Sequence, residues 1–356
     1  MPTRRAVVAG LAASASMSGA TWADAGAPSH VSAAMDGDGS FALYGLHADG
    51  TRAFRVALPS RGHAAAVHPS APEAVAFARR PGTFALVLDC VEGAVIHALR
   101  APAGRHFYGH GAFSADGAQL FTTENEIETG AGRVGVWARG EGYRRAGEFN
   151  SGGTGPHELL RIPGTQRLAI ANGGIRTHPD QGRTKLNLDT MRPNLTIATE
   201  AGEILDQAAV PEDIHQNSLR HLAVRADGLV ACAFQWQGDV YDAPSLLAFY
   251  RGGGDLAFAA FDDALHRGLV GYAGSVAFSA SGQHVALTSP RGGLLVSVEV
   301  DTGEAQVARQ TDICGVARGA PGLVATDGQG NVHHVAPHLT RLATHPVAFD
   351  NHLIAV

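Results

Sequence analysis

Four histidines stand at matching places in a recurring phrase. His110 lies in Gly109-His110-Gly111-Ala112-Phe113-Ser114-Ala115-Asp116-Gly117, an apolar stretch that opens on a polar residue and closes in an Asp-Gly turn. His157 in 155–160, His221 in 218–228 and His352 in 350–356 hold corresponding positions. Neutral imidazoles that converge in space are ligands for Cu, Zn, Fe or Ni. Carboxylates receiving the second ring N–H would fix the tautomer, and Glu124, Glu158 and Asp350 are close in sequence. The same residues allow a different chemistry, with Glu124 or Glu158 as the general base of a lactonase-like hydrolase or an oxidoreductase. They also allow a purely structural role, in which each imidazole hydrogen-bonds a neighbouring repeat.

Convergence needs a fold that brings distant segments to one point. The phrase has seven starts: 64–69 with His68, 109–117, 155–160, 218–228, 274–282 without a histidine, 314–319 and 350–356. They fall roughly 40 to 65 residues apart, the spacing of propeller blades with insertions. Each but the last opens a series of short β-rich runs, as in 64–67, 74–78, 84–89 and 94–99. The last start is followed by nothing, because the chain ends at Val356. Residues 29–58 supply up to three strands with no start of their own, including a hairpin around His47-Ala48-Asp49-Gly50. Joining these halves predicts an all-β chain, a single seven-bladed β-propeller closed by N- and C-terminal strands. Closure removes exposed sheet edges. The first strand of each blade would line a central channel and carry the histidines into it. Helical periodicity appears only around 255–266.

Other residues could serve the same channel. The insertion 172–187 is long, polar and glycine-containing, and it carries Asn172, His178, Asp180, Arg183 and Lys185. Arg79, Arg80, Arg220 and Arg291 form a second set. Facing the channel they would hold a carboxylate or phosphate through paired hydrogen bonds; otherwise they bond loop carbonyls or an internal Asp. His68 precedes Pro69 and reads as structural, and His333-His334 is a weak metal pair on an outer strand. The chain lacks Gly-x-Ser-x-Gly, a Walker loop and HExxH, so no activated nucleophile can be named.

Composition narrows the classes. With 45 glycines and only 17% charged residues, the chain suits short strands and tight turns rather than disorder. A formal charge of −6 without a Lys/Arg cluster argues against nucleic acid. Cys90, Cys232 and Cys314 form no CxxC, and their odd number gives no disulfide framework. Residues 1–25 read as a twin-arginine-type signal peptide. Arg4-Arg5 precedes the small-residue run 6–15, and Ala23-Asp24-Ala25 offers a cleavage site. The run is too short to span a bilayer well. The expectation is a periplasmic propeller over 26–356, with no membrane span in the mature chain.

Nine phrases resemble, in order, an uncharacterised exported family, the domain of unknown function fifteen-thirteen. They begin at Ala78, Gly109, Gly155, Ala171, Leu219, Tyr272, Ser289, Cys314 and Asp350, and include Gly155-Pro-His-Glu, Leu219-Arg-His-Leu and Asp350-Asn-His. The resemblance covers nearly the whole mature chain. It implies a periplasmic β-propeller, often encoded beside imelysin-type iron-uptake proteins and a di-haem oxidoreductase-like protein. It therefore implies iron or other metal handling, with iron or copper as the suspected cofactor and an imelysin-type protein as a possible partner. The family phrases fall on His110, His157, His221 and His352 and add His178. A docking scaffold for such a partner is a third reading.

Overall fold

The computed structural model describes residues 19–79, 84–182, 184–336 and 338–356. It has seven four-stranded antiparallel sheets. Their inner strands are Gly62–Val67, Arg105–Phe113, Pro156–Ile162, Asn217–Val224, Ser275–Phe278, Ile313–Arg318 and Val347–Ala355. Each packs beside the next, and Val347–Ala355 returns to lie against Gly62–Val67, so the ring is closed. In six sheets the four strands follow one another in sequence. The seventh is composite: Val347–Ala355 pairs with His30–Asp36, then Phe41–Leu46 and Arg52–Leu58 follow. His30 faces Ala355 and Met35 faces Ala348. This is the closure expected from the unpaired halves of the sequence.

Alternation along the strands explains the layers. Leu43, Phe77, Leu120, Phe121, Leu168, Ile170, Leu195 and Phe234 are fully buried between neighbouring sheets. The outermost strands expose single apolar residues such as Val95 and Leu342, which is ordinary for a surface. The helical signal around 255–266 becomes one short helix, Asp263–Gly268. Asp262 caps it by accepting a hydrogen bond from the Leu265 N–H at 2.7 Å. Among the described residues no helix is long and apolar enough to cross a membrane.

The packed body begins ahead of the expected boundary at residue 26. The Trp22 indole N–H donates to the His68 carbonyl at 2.9 Å, its ring packs on an inter-sheet core, and Ala25 is buried there. Arg4, Arg5 and the run 6–15 lie outside the described residues. All three cysteines are buried and unpaired. Burial pushes the Cys90 thiol up to about 12, and those of Cys232 and Cys314 also upward, so none is a ready thiolate.

Because the last strand completes both a sheet and the ring, deleting residues 347–356 should leave the edge of His30–Asp36 unpaired and split the inter-sheet core around Phe349 and Leu353. The expected result is aggregation, or a melting temperature more than about 10 °C lower, since several kcal/mol of core contacts go with Phe349 and Leu353. A soluble monomer with an unchanged melting temperature would contradict the closure argument.

Candidate metal centre

The inner strands are bulged wherever they carry an inward histidine. Gly62 faces Ala78 and Ala65 faces Ala76, so His63 and Ala64 share the single partner Phe77. Phe107 faces Glu124 and Gly111 faces Thr122, which puts residues 108–110 opposite Thr123. His157 is the extra residue between Pro156 and Glu158. Arg220 is the extra one between Leu219 and His221. In the closing strand, Asp350, Asn351 and His352 stand opposite Ala33 alone. Of the two inner strands without a histidine, Ser275–Phe278 pairs without a shift, whereas Ile313–Arg318 is also bulged, between Ile313 and Val316. An extra residue breaks the two-residue alternation and re-aims side chains, here toward the axis. Gly109 lies in one of these bulges. Its φ of +100° suits glycine, and a Cβ there would come 2.7 Å from the His63 ring.

The result is a cluster of five imidazoles. Ring centroids of His63, His110, His157, His221 and His352 lie 4.6–5.8 Å apart in the eight close pairs. His63, His110 and His352 form one triad of possible ligand atoms, and His110, His157 and His221 form another; within each, the atoms lie within 4.8 Å of one another. His110 belongs to both. Its Nε2 is 3.3 Å from His63 Nε2. Two nitrogens bound to one tetrahedral metal at about 2.0–2.1 Å would sit at about that separation.

Glu158 anchors the cluster. His221 Nδ1–H donates to its Oε2 at 3.3 Å, His110 Nδ1 lies 3.5 Å from Oε1, and the Leu222 N–H donates to Oε2 at 2.9 Å. Burial would raise this carboxyl's pKa. The His110 and His221 imidazoles outweigh that and hold it well below the usual carboxylate range. With Nδ1 of His221 committed to Glu158, its Nε2 is left for a further partner, as in carboxylate–histidine–metal sites, whereas His110 Nε2 already meets His63 Nε2.

Three nitrogens at the centre have no hydrogen-bond partner among the described residues: His63 Nδ1, His157 Nδ1 and His352 Nε2. Each such buried group costs about 1–3 kcal/mol. A metal would relieve the cost for the lone pairs aimed at it. The residues present therefore fit a borderline transition metal with imidazole ligands, Glu158 being the outer carboxylate. Burial first, then neighbouring imidazoles, push His63, His157 and His352 well below the ordinary histidine value. Burial likewise lowers His221, although Glu158 opposes it.

The other expected site residues are spread more widely. Glu124 is not beside the imidazoles, a correction to its expected place. Arg145 takes both of its oxygens at 2.8 and 2.9 Å, and the Thr122 hydroxyl donates to it at 2.7 Å, so it forms a buried ion pair within its own sheet. Asp350 is bound by Arg61 at 2.6 Å and Arg79 at 3.3 Å, and contacts no imidazole. Asn172 knits Ser151, Asn194 and Thr196 together. His178 sits beside Asp180 in the insertion, away from the cluster. Arg220 and Arg291 line the cavity above the imidazoles; Arg80 and Arg183 are outside the described residues. His68 accepts the Ser70 and Ala71 N–H groups at Nδ1, and His333 bonds Asp327. His63 is the ligand candidate that the phrase-reading missed. Gly62-His63 repeats the Gly109-His110 dipeptide, a signal hidden by starting that unit two residues later, at Ala64.

A family model for a protein of unknown function, DUF1513, matches residues 56–356. The chain belongs to this family. No curated protein sequence matches this DUF1513 chain. Among solved structures, Kuenenia stuttgartiensis hydrazine synthase is similar over 89% of this chain and 96% of its own, with a TM-score of 0.63 and 15% identity. At that identity the likeness is one of fold.

The histidine shifts set a sign for stability. An unfolded histidine takes up a proton as pH falls below about 6.5, whereas His63, His157 and His352 stay neutral when folded. Stability is therefore present above that pH and lost as pH falls toward the folded values. The loss is on the order of 1 kcal/mol per histidine at pH 5.5, and a few kcal/mol for the three together. Urea unfolding of metal-free protein at pH 7.5 and 5.5 should show it. Equal midpoints would mean that these imidazoles accept protons in the native state.

Proposed function

We propose that this protein is a periplasmic metal-binding propeller accessory to iron uptake, holding iron or copper on the imidazoles of its central channel. The observation that carries the metal reading is the convergence of five imidazoles with three partnerless buried nitrogens around one ionised carboxylate. The periplasmic location, the iron-uptake role and an imelysin-type partner rest on the family resemblance and the twin-arginine pattern of the sequence. Bound there, the metal would supply Lewis-acid or one-electron chemistry. The chain's own part is to keep His63, His157, His221 and His352 neutral by burial, place Glu158 beside His110 and His221, and bury the centre.

The enzyme reading asks for a carboxylate free to take a proton. Glu158 is engaged by two imidazoles and the Leu222 N–H, and Glu124 by Arg145 and Thr122. The binding reading is therefore the better supported of the two. Docking of an imelysin-type partner would use a propeller face and is compatible with it.

Calorimetric titration of the metal-free protein with Cu(II) and with Fe(II) tests the proposal. Because His110 belongs to both triads, His110→Ala should weaken binding at least a hundredfold. His157→Ala, which spares one triad, should weaken it less, and Glu158→Gln by about 10–100-fold. His266→Ala, on the short outer helix, should leave it unchanged. Affinity should hold as pH falls through about 6.5, where a free imidazole would begin to lose metal to protons, because burial keeps His63, His157 and His352 neutral well below that pH. Failure of the wild type to bind either metal at micromolar concentration would refute the reading.

A further inference from the structure

The imidazole cluster divides the channel into two unlike cavities. One, of about 310 Å³, is lined mainly by backbone and apolar side chains such as Leu160, Val276 and Ile354, with Glu158, His221 and His352 at its inner end. The other, of about 270 Å³, opens above His63, His157 and His221. Four cationic side chains line it: Arg79, Lys185, Arg220 and Arg291. No carboxylate is among the described residues of that wall. They come from four separate parts of the chain, so their meeting follows from the fold and not from a basic run.

The charge is only partly compensated. Arg79 shares Asp350 with Arg61, two cations on one carboxylate. Lys185 and Arg291 have no ion pair among the described residues. The Arg291 guanidinium lies 4.5 Å from the centre of the Tyr272 ring, and the Tyr272 hydroxyl accepts from the Asn351 amide at 3.1 Å. Stacking holds the planar group by its face and leaves its edge donors for a planar acceptor. Partial burial, followed by the positive charges of Arg220 and Arg291, lowers the Lys185 pKa, which places these three cations within reach of one another. Cations gathered in a concave wall are an anion site. The volume suits one small organic molecule.

We propose that this vestibule binds a small polycarboxylate, its carboxylates on Lys185, Arg220 and Arg291 and its body above the imidazoles. The choice of a polycarboxylate over other oxyanions rests on the metal reading, because carboxylate oxygens also ligate the metals that imidazoles hold. The anion would enter from the one side on which His63, His157 and His221 face a polar cavity.

Titration of the full chain with citrate in low-salt buffer, read by calorimetry and by Trp236 emission, tests this. Trp236 lines the vestibule, whereas Trp22 and Trp137 are packed elsewhere. Citrate should bind at micromolar concentration and change the emission, and Trp236→Phe should abolish the optical signal. Lys185→Gln and Arg291→Gln, both at exposed positions, should each weaken citrate at least tenfold. Absence of citrate binding, or binding that both variants leave intact, would overturn the site. Inorganic phosphate binding as tightly as citrate would overturn the polycarboxylate assignment. Cu(II) and Fe(II) alone, titrated into the same preparation, separate the two readings. Metal binding without citrate binding removes only the vestibule proposal. Citrate binding that both variants weaken, without metal binding, sustains the anion site and removes the metal centre.

Discussion

A buried imidazole nitrogen must have a partner or carry a cost, and the axis of this propeller gathers five imidazoles. Glu158 satisfies the Nδ1 of His221 and approaches that of His110, while His63 and His110 meet through their Nε2 atoms. Three nitrogens are left without partners. At about 1–3 kcal/mol each, the deficit is comparable to much of the 5–15 kcal/mol by which an ordinary domain is stable. Replacing these residues with apolar ones would remove the deficit. Their presence is what a coordinating function requires and what packing alone would not produce.

The fold supports such a centre because the cost is spread over a closed ring. The inter-sheet cores around Phe77, Phe121 and Phe234 pack the inner strands against one another. Within that frame, bulges determine which side chains reach the axis. Thr123 ties two of the bulged strands by donating to the carbonyls of both His110 and His157 at 3.1 and 3.3 Å. The imidazoles are therefore positioned by backbone pairing before any metal is present, which reduces the ordering cost of binding.

Much of this was legible in the sequence. Seven phrase starts, one lacking its strands and one set of strands lacking a start, were enough for a seven-bladed ring closed by both termini. His110, His157, His221 and His352 were found because the phrase marks the inner strand. His63 was missed because its unit was started at Ala64, with His68 as the marked histidine; the bulge that turns His63 inward leaves no simple sequence period. Glu124 was misplaced for a related reason. It is close to His110 in sequence, but in the strand Gln119–Glu126 it points into its own sheet, toward Arg145 on the fourth strand. Proximity in sequence says little about which face of a sheet a residue occupies when its neighbour is bulged. The cationic vestibule was foreshadowed by Arg79, Arg220 and Arg291, but the contribution of Lys185 from the long insertion depends on how that loop folds over the channel.

The central claim is that one metal ion is held at the axis by imidazoles from several blades. A crystal structure of metal-loaded protein, with anomalous data collected at the metal's absorption edge, tests it most directly. The account predicts a single strong peak at the axis, with His110 and at least two of His63, His157, His221 and His352 bonded at about 2.0–2.1 Å and Glu158 holding the second ring nitrogens of His110 and His221. A peak only at other histidines, such as His333 and His334, or an axis with no anomalous signal at saturating metal, would contradict it.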